Sequence, residues 1–217
     1  ETYWLPSGFQ WHQMSIDTSD LLYPIYFTVP LLLFRVFLET FVGIPLGFWL
    51  GYGEGRMQDH MVSHLLGGFA VDTQKKRILE CFWRFFYYTS MFIYGFKILS
   101  SKSWLWNVNE CWTGYPLQKI DDDIWWYNMI TLTFYYSLLV PSFFDGRRRD
   151  YWQMIAHHVI AIIGFQMSFA INFVRSGSLG ILSHDAADVI LDGGNLLKYD
   201  KSKKAIRNSL FVVFLIW

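Results

Sequence analysis

Residues 151–198 read YWQMIAHHVIAIIGFQMSFAINFVRSGSLGILSHDAADVILDGGNLLK, and this stretch decides the fold. Two apolar segments, 151–173 and 178–197, each approach the roughly 20 residues that a helix needs to cross a hydrocarbon layer, yet both carry histidines and acids. At about 100° per residue, Asp150, His157, Ala161, Gly164, Ser168, Asn172 and Arg175 fall on one narrow face, with His158 at its edge. The rest of that circumference is apolar except for Gln166. The second segment repeats the design: Gly177, Gly180, His184, Asp188 and Asn195 share a face flanked by Asp185 and Asp192. A charged side chain at the bilayer centre costs about 2.5–3.5 kcal/mol on insertion scales. Two such stripes therefore predict a polar cavity enclosed by a helical bundle, with Ala161, Gly164, Gly177 and Gly180 leaving room beside it.

Outward from this pair, the segments 21–50, 82–99 and 124–144 also reach membrane-spanning length, and a sixth begins near Ala205 and is cut off at Trp217. The expected fold is all-α, a polytopic transmembrane bundle of about six helices with the last one truncated. The expected organisation is a luminal segment 1–20, a first helix 21–50, a cytosolic loop 51–81 and a helical domain 82–217. Pro24, Pro30 and Pro45 predict kinks in the first helix, which membrane helices tolerate. Alternate connections carry twelve Lys and Arg on one side of the layer and three on the other, so the richer side is read as cytosolic. The opposite side holds Trp4, Trp11, Trp104, Trp106, Trp112, Trp125 and Trp126, an expected interfacial belt. No cleavable leader is expected, because the first apolar stretch is too long and has no basic flank before it.

Composition agrees. Hydrophobic residues make up 53% and charged residues 17%, where a soluble domain carries about 25% charged residues. Eleven Trp, thirteen Tyr and twenty Phe exceed what a core of this size could bury. The 18 basic and 18 acidic residues balance, which excludes a general nucleic-acid binder. Cys81 and Cys111 fall on opposite sides of the layer and cannot pair.

Charges elsewhere have structural readings. Arg35 and Glu39, four apart, can neutralise each other; Arg84 and Lys97, near segment ends, can snorkel. His60 and His64 are read as part of a solvated loop. The stripe itself admits three uses: paired polar groups gluing two helices, a metal held by His157, His158, His184, Asp185 and Asp188, or chemistry. Adjacent histidines diverge on a helix, which disfavours a common metal ion. Histidine beside carboxylate suits proton transfer near neutral pH, and imidazole can also serve as an acyl-accepting nucleophile. The basic turns at Arg147, Arg148, Arg149 and Lys198 could hold phosphates of a soluble carrier, or simply record topology. The residues alone thus reach a membrane enzyme performing acid–base or acyl-transfer chemistry on a lipid.

The run from Arg149 to Lys198 resembles the Lag motif of ceramide synthases within the TLC-domain family. The matching elements are Asp150 seven residues before a His pair, then S…N..R.G.L, then HD..D. YWLP at 3–6, CFWRFFYY at 81–88 and CWTGYP at 111–116 extend the resemblance to essentially the whole chain, nematode members above all. It implies a multi-pass endoplasmic-reticulum enzyme, an acyl-CoA-dependent sphingoid base N-acyltransferase giving (dihydro)ceramide. Its implied partners are acyl-CoA, a sphingoid base and membrane lipids, with no nucleic acid, no cofactor and no metal, and with room for a homo- or hetero-dimer. Carried over by position, the catalytic residues are His157, His158, Asp185 and Asp188. Asp150, Ser168, Asn172, Arg175, His184 and Asn195 are supporting or substrate-binding, and Arg147, Arg148, Arg149 and Lys198 are candidates for coenzyme A phosphates. The alternative is a non-catalytic TLC-type protein that binds or senses lipid or acyl-CoA. The chain departs from the pattern at Gln153, where an acid is common, at Asp192 in place of Glu, and at Asn195 in place of Lys. Loop 51–81 is too short for the homeobox-like insertion of some members.

Overall fold

The computed structural model describes residues 8–67, 73–144, 151–198 and 204–216. All regular structure among them is helical. A 3-10 turn, Thr18–Leu22, is capped by Asp17, whose carboxylate accepts from the Ser19 amide at 2.9 Å. It leads into α1 (Tyr23–Leu38), a π-turn (Glu39–Gly43) and α2 (Ile44–Trp49). The helix widens into this π-turn just ahead of Pro45. Pro45 has no N–H to return to the preceding turn, and the wider turn just before it absorbs the misfit. There the backbone runs close to the next long helix: a Cβ on Gly43 would sit 2.8 Å from Leu79 Cδ2.

The short α3 (Met57–Leu65) precedes α4 (Gln74–Leu99), whose first turn is capped by Thr73 Oγ1 accepting from the Lys76 amide at 3.2 Å. After α5 (Ser103–Trp106) come α6 (Asp122–Ser142), α7 (Tyr151–Ala170), α8 (Val174–Leu197) and α9 (Lys204–Ile216). Acids at Asp122 and Asp123 open α6, where they favour the positive helix terminus. Each expected segment coincides with a helix, with corrected ends. Residues 74–81 belong to α4 rather than to a loop, because the apolar window marked only the part of the helix beyond its charged first turns. The fourth helix stops at Ala170 and the fifth starts at Val174. By hydropathy and length alone, Thr18–Trp49 and Tyr151–Ala170 could cross a membrane.

In the bundle α4 lies along α8, α1 along α6, α7 along α6 and α9 along α8. The core between them is aromatic: Tyr87 stacks on Phe134 with centroids 3.5 Å apart, and Trp83, Tyr127 and Phe169 are essentially sealed. Leu33, Phe37, Val29, Ile160 and Ile163 point outward, as helices solvated by lipid would have them.

Charge is also buried. Arg35 Nε donates to Glu39 Oε1 at 2.8 Å, the expected neutralisation within α1, and its guanidinium also reaches Glu80 on α4. His64 is not solvated. It is buried with Nε2 3.2 Å from Glu39 Oε2, while Lys76 Nζ lies 3.4 Å from Glu80 Oε1. This network ties α1, the π-turn, α3 and α4 at one end of the bundle. At the other end, of the expected tryptophan belt, Trp106, Trp112 and Trp126 are exposed, whereas Trp104 is buried.

Candidate functional site

A cavity of about 790 Å³ opens where α7 rests on α6 while α8 rests on α4. His157 and His158 face it from α7, and His184, Asp188, Asp192 and Asn195 from α8. The imidazoles cluster. The His157 ring lies 5.6 Å from that of His158 and 6.4 Å from that of His184, nearly parallel to the latter. His157 is the more open of the pair, whereas His158 is 7% exposed and its Nδ1 is buried with no hydrogen-bond partner. His184 Nδ1 lies 2.8 Å from Asp188 Oδ2, one helical turn along α8. The i, i+4 spacing of HD..D places these two groups on one face.

Asp185 is 2% exposed and turns away from this cluster; Tyr127 Oη, from α6, donates to its Oδ2 at 3.3 Å. It does not line the cavity. Asp192, farther along α8, does. Arg84 of α4 grips it with two bonds, Nε to Oδ2 at 3.1 Å and Nη2 to Oδ1 at 3.0 Å, and the Cys81 thiol lies 3.5 Å from Oδ1. Arg84 thus pairs across two helices instead of snorkelling. Asn195 sits on the cavity wall, exposed, and the exposed Lys198 caps the end of α8. A second cavity of about 350 Å³ between α8 and α9 includes Asn195, Lys198 and Arg207. Arg147, Arg148, Arg149 and Asp150 lie outside the described residues.

The remaining stripe residues are elsewhere. Ser168, Asn172 and Arg175 gather at the turn between α7 and α8 and do not reach the cavity. Asn172 adopts a left-handed backbone conformation, φ 58°, which Asn tolerates better than most residues. Its amide donates to the carbonyls of Pro116 at 2.6 Å and Gln118 at 2.8 Å. Arg175 Nη1 donates to the carbonyls of Glu110 and Thr113, and its guanidinium covers the Trp104 ring at 4.7 Å. Gln118 in turn donates to the carbonyls of Cys111 and Thr113. Burial raises the Cys111 thiol above its ordinary value, with Arg175 opposing. Partial burial works against the charged form of Lys102, but hydrogen bonds to Asp121 and Asp123 outweigh it and hold the ammonium above its usual range. Ala161, Gly164, Gly177 and Gly180 also lie outside the cavity lining.

Two contributors were not singled out in the sequence. Tyr135 of α6, 2% exposed, has its Oη 3.4 Å from His184 Nδ1 and its ring edge-on to both His158 and His184. Tyr127, two turns earlier, holds Asp185. The available signal was the set Tyr127, Thr131 and Tyr135, polar-tipped at helical spacing in an otherwise apolar segment. The arrangement as a whole offers one accessible imidazole, a second ordered by a carboxylate, and a pinned guanidinium. Those are the parts of proton transfer and nucleophilic acyl chemistry.

The TLC domain family matches residues 77–217. The chain is 45% identical to ceramide synthase hyl-1 of Caenorhabditis elegans over 99% of its own length and 60% of that protein. It is 31% identical to ceramide synthase hyl-2 of the same organism, over 99% of this chain and 67% of that one. With human ceramide synthase 4 the identity is 28%, over 99% and 65%. The chain therefore spans about 60% of the length of hyl-1.

Proposed function

This chain belongs to the ceramide synthase family of TLC-domain proteins, and from that premise we propose that it transfers a fatty acyl group from acyl-CoA to the amine of a sphingoid base, giving (dihydro)ceramide and coenzyme A. The observation that carries the reading is the imidazole cluster of His157, His158 and His184 on the wall of a cavity inside an apolar bundle. The chain sits in the endoplasmic-reticulum membrane with several passes. Its cytosolic face is the end that carries the first turns of α4 and the last turns of α8.

Acyl-CoA enters from that face, its phosphates held by Lys198 and the basic residues Arg147, Arg148 and Arg149, its acyl chain in the bundle. His157, the more open imidazole, attacks the thioester carbonyl. The C–S bond breaks, the ring proton of His157 neutralises the departing thiolate, and an acyl-imidazole remains. The sphingoid amine then takes the acyl group. His158 keeps one buried nitrogen without a partner, which costs roughly 1–3 kcal/mol until a bound group supplies a hydrogen bond. Asp185 acts from behind the site, through Tyr127 and α8, rather than on the reacting atoms. A thioester is already activated, so the reaction draws on no cofactor.

Intact-protein mass spectrometry of the purified chain exposed to acyl-CoA tests this. The reading expects a gain of one acyl group, absent from His157→Ala, and discharge of the adduct as ceramide on adding sphinganine. An adduct that persists in His157→Ala moves the nucleophile elsewhere. Acyl-CoA binding with neither adduct nor ceramide favours a binding or sensing role, to which the Asn195 departure would then belong.

A further inference from the structure

His184 is addressed through a single nitrogen from two sides. Asp188 Oδ2 stands 2.8 Å from Nδ1, and Tyr135 Oη stands 3.4 Å from the same atom. One ring nitrogen cannot donate to a carboxylate and accept from a phenol at the same time. The shorter distance and the negative charge of the carboxylate decide between them: an unprotonated nitrogen so close to a carboxylate would be repelled, so the proton sits on Nδ1 in a close charge contact with Asp188 rather than an aligned hydrogen bond. Nε2 is then the bare, basic nitrogen, and it has no polar partner among the described residues. Its ring lines the cavity, nearly parallel to that of His157 with centroids 6.4 Å apart. Both rings border the same cavity, so an amine within it reaches each of them.

Tyr135 sets the pose of that ring. It is sealed in the core beside Phe134 and Phe165 and meets both His158 and His184 edge-on. The hydroxyl at its tip, 3.4 Å from Nδ1, fixes on which side of the ring that nitrogen lies.

We propose that His184 is the base that accepts a proton from the sphingoid ammonium before the amine takes the acyl group from His157, and that Tyr135 is the residue that positions the His184 ring for this step. The proposal rests on the acyl-histidine reading above. The amine arrives as an ammonium and passes one proton to His184 Nε2, which becomes an imidazolium stabilised by Asp188. The free amine attacks the acyl carbonyl and forms the C–N bond. The bond from that carbonyl to the His157 nitrogen breaks, and its electron pair returns to the ring. The second amine proton moves to the departing His157 nitrogen, so His157 is restored neutral and His184 releases its proton to solvent.

The two half-reactions separate the proposal from its premise. With acyl-CoA alone, followed by rapid quench and intact mass, His184→Asn is expected to load the acyl group within about threefold of the unsubstituted rate. After sphinganine is added, it should discharge the adduct about 100-fold more slowly, as expected for loss of a general base. Tyr135→Phe should load normally and discharge about tenfold more slowly, with the pH dependence of discharge displaced relative to the unsubstituted protein. Discharge at the unsubstituted rate in His184→Asn overturns the proposal while leaving the acyl-histidine reading intact. Loading slowed as much as discharge, at an unchanged melting temperature, also overturns it, because the role would not be confined to the amine. If the unsubstituted protein forms no adduct, the premise fails and the proposal falls with it. If His184→Asn does not fold, Tyr135→Phe decides: an unaltered discharge rate and pH profile refute the positioning role.

Discussion

The polar stripe of α7 and α8 has two ends that look alike in sequence and differ in what their side chains face, a cavity at one and backbone carbonyls at the other. At the cavity end, His157 is open, His158 keeps an unpartnered nitrogen, and His184 leaves Nε2 unengaged. At the turn end, Asn172 and Arg175 spend their donors on backbone carbonyls of residues 110–118, and Trp104 is covered by the Arg175 guanidinium. Polar groups left short of partners in a buried region are held there at a cost and suit a ligand. Donors that meet backbone carbonyls fasten one element to another, even where Asn172 Oδ1 and Arg175 Nε stay unpaired beside them. The difference shows that hydrophobic periodicity identifies a polar face without telling whether it is wet or knotted.

The contrast would break most visibly at Arg84. This residue lines the cavity yet is bonded as fully as the turn-end residues, through two contacts to Asp192. If pairing is what fastens helices, Arg84→Gln should destabilise the bundle by about 3 kcal/mol, the lower end for stranding one member of a buried pair. Asp192, with a 6% exposed side chain, would be left without its counter-charge. Thermal melts of the purified protein would measure this. Arg84→Gln combined with Asp192→Asn should recover a large part of the loss, because no unpaired charge then remains. A double variant no more stable than the single one would mean that Arg84 works through something other than the pair.

At the turn end, Asn172→Ala should cost about 3 kcal/mol. The substitution removes two hydrogen bonds, each worth about 1 kcal/mol net, and adds the strain of a left-handed alanine. Asn172→Gly keeps the loss of bonds and relieves the strain, so it should fall between alanine and the unsubstituted protein in melting temperature. Neither should alter the rate of acyl loading per folded molecule. A selective loss of loading at normal stability would make the turn end part of the chemistry and erase the distinction between the two ends.

How much of this was legible in advance follows the same division. The long helices were readable because about 20 apolar residues in a row leave the backbone little alternative in lipid, and the His157–His184 cluster followed from 3.6-residue spacing. The charged first turns of α4 were missed because hydropathy sees apolar length alone, although Lys76 and Glu80 are helical and buried. The Arg84–Asp192 bond joins residues 108 apart in sequence, a distance over which no local pattern carries information. His64 was placed in solvent because nothing in its own loop announces that Glu39 waits on another helix. Tyr135 was counted as an apolar aromatic, and only its tip, set against His184 by the packing of α6, gives it a role.

The smallest test lies at the seam between the two ends. Gly177 starts the small-residue series of α8, and sequence alone assigned it to making room for a cavity. The structure gives it a different neighbour: a Cβ there would stand 2.6 Å from Ser168 Oγ, which itself donates to the Phe173 carbonyl at 3.2 Å. Gly177 is therefore small so that the first turn of α8 can close on the last turn of α7. Gly177→Ala should cost about 1 kcal/mol, because the helical gain of alanine over glycine is outweighed by displacing the Ser168 hydroxyl and its bond. Removing the obstruction as well, in Gly177→Ala with Ser168→Ala, should return stability close to that of Ser168→Ala alone. Gly180 supplies the control. Nothing lies within 4 Å of its would-be Cβ, so Gly180→Ala should be neutral or stabilising. Equal effects at 177 and 180 would show that the contact with Ser168 yields without cost, and that the turn is held by Asn172 and Arg175 alone.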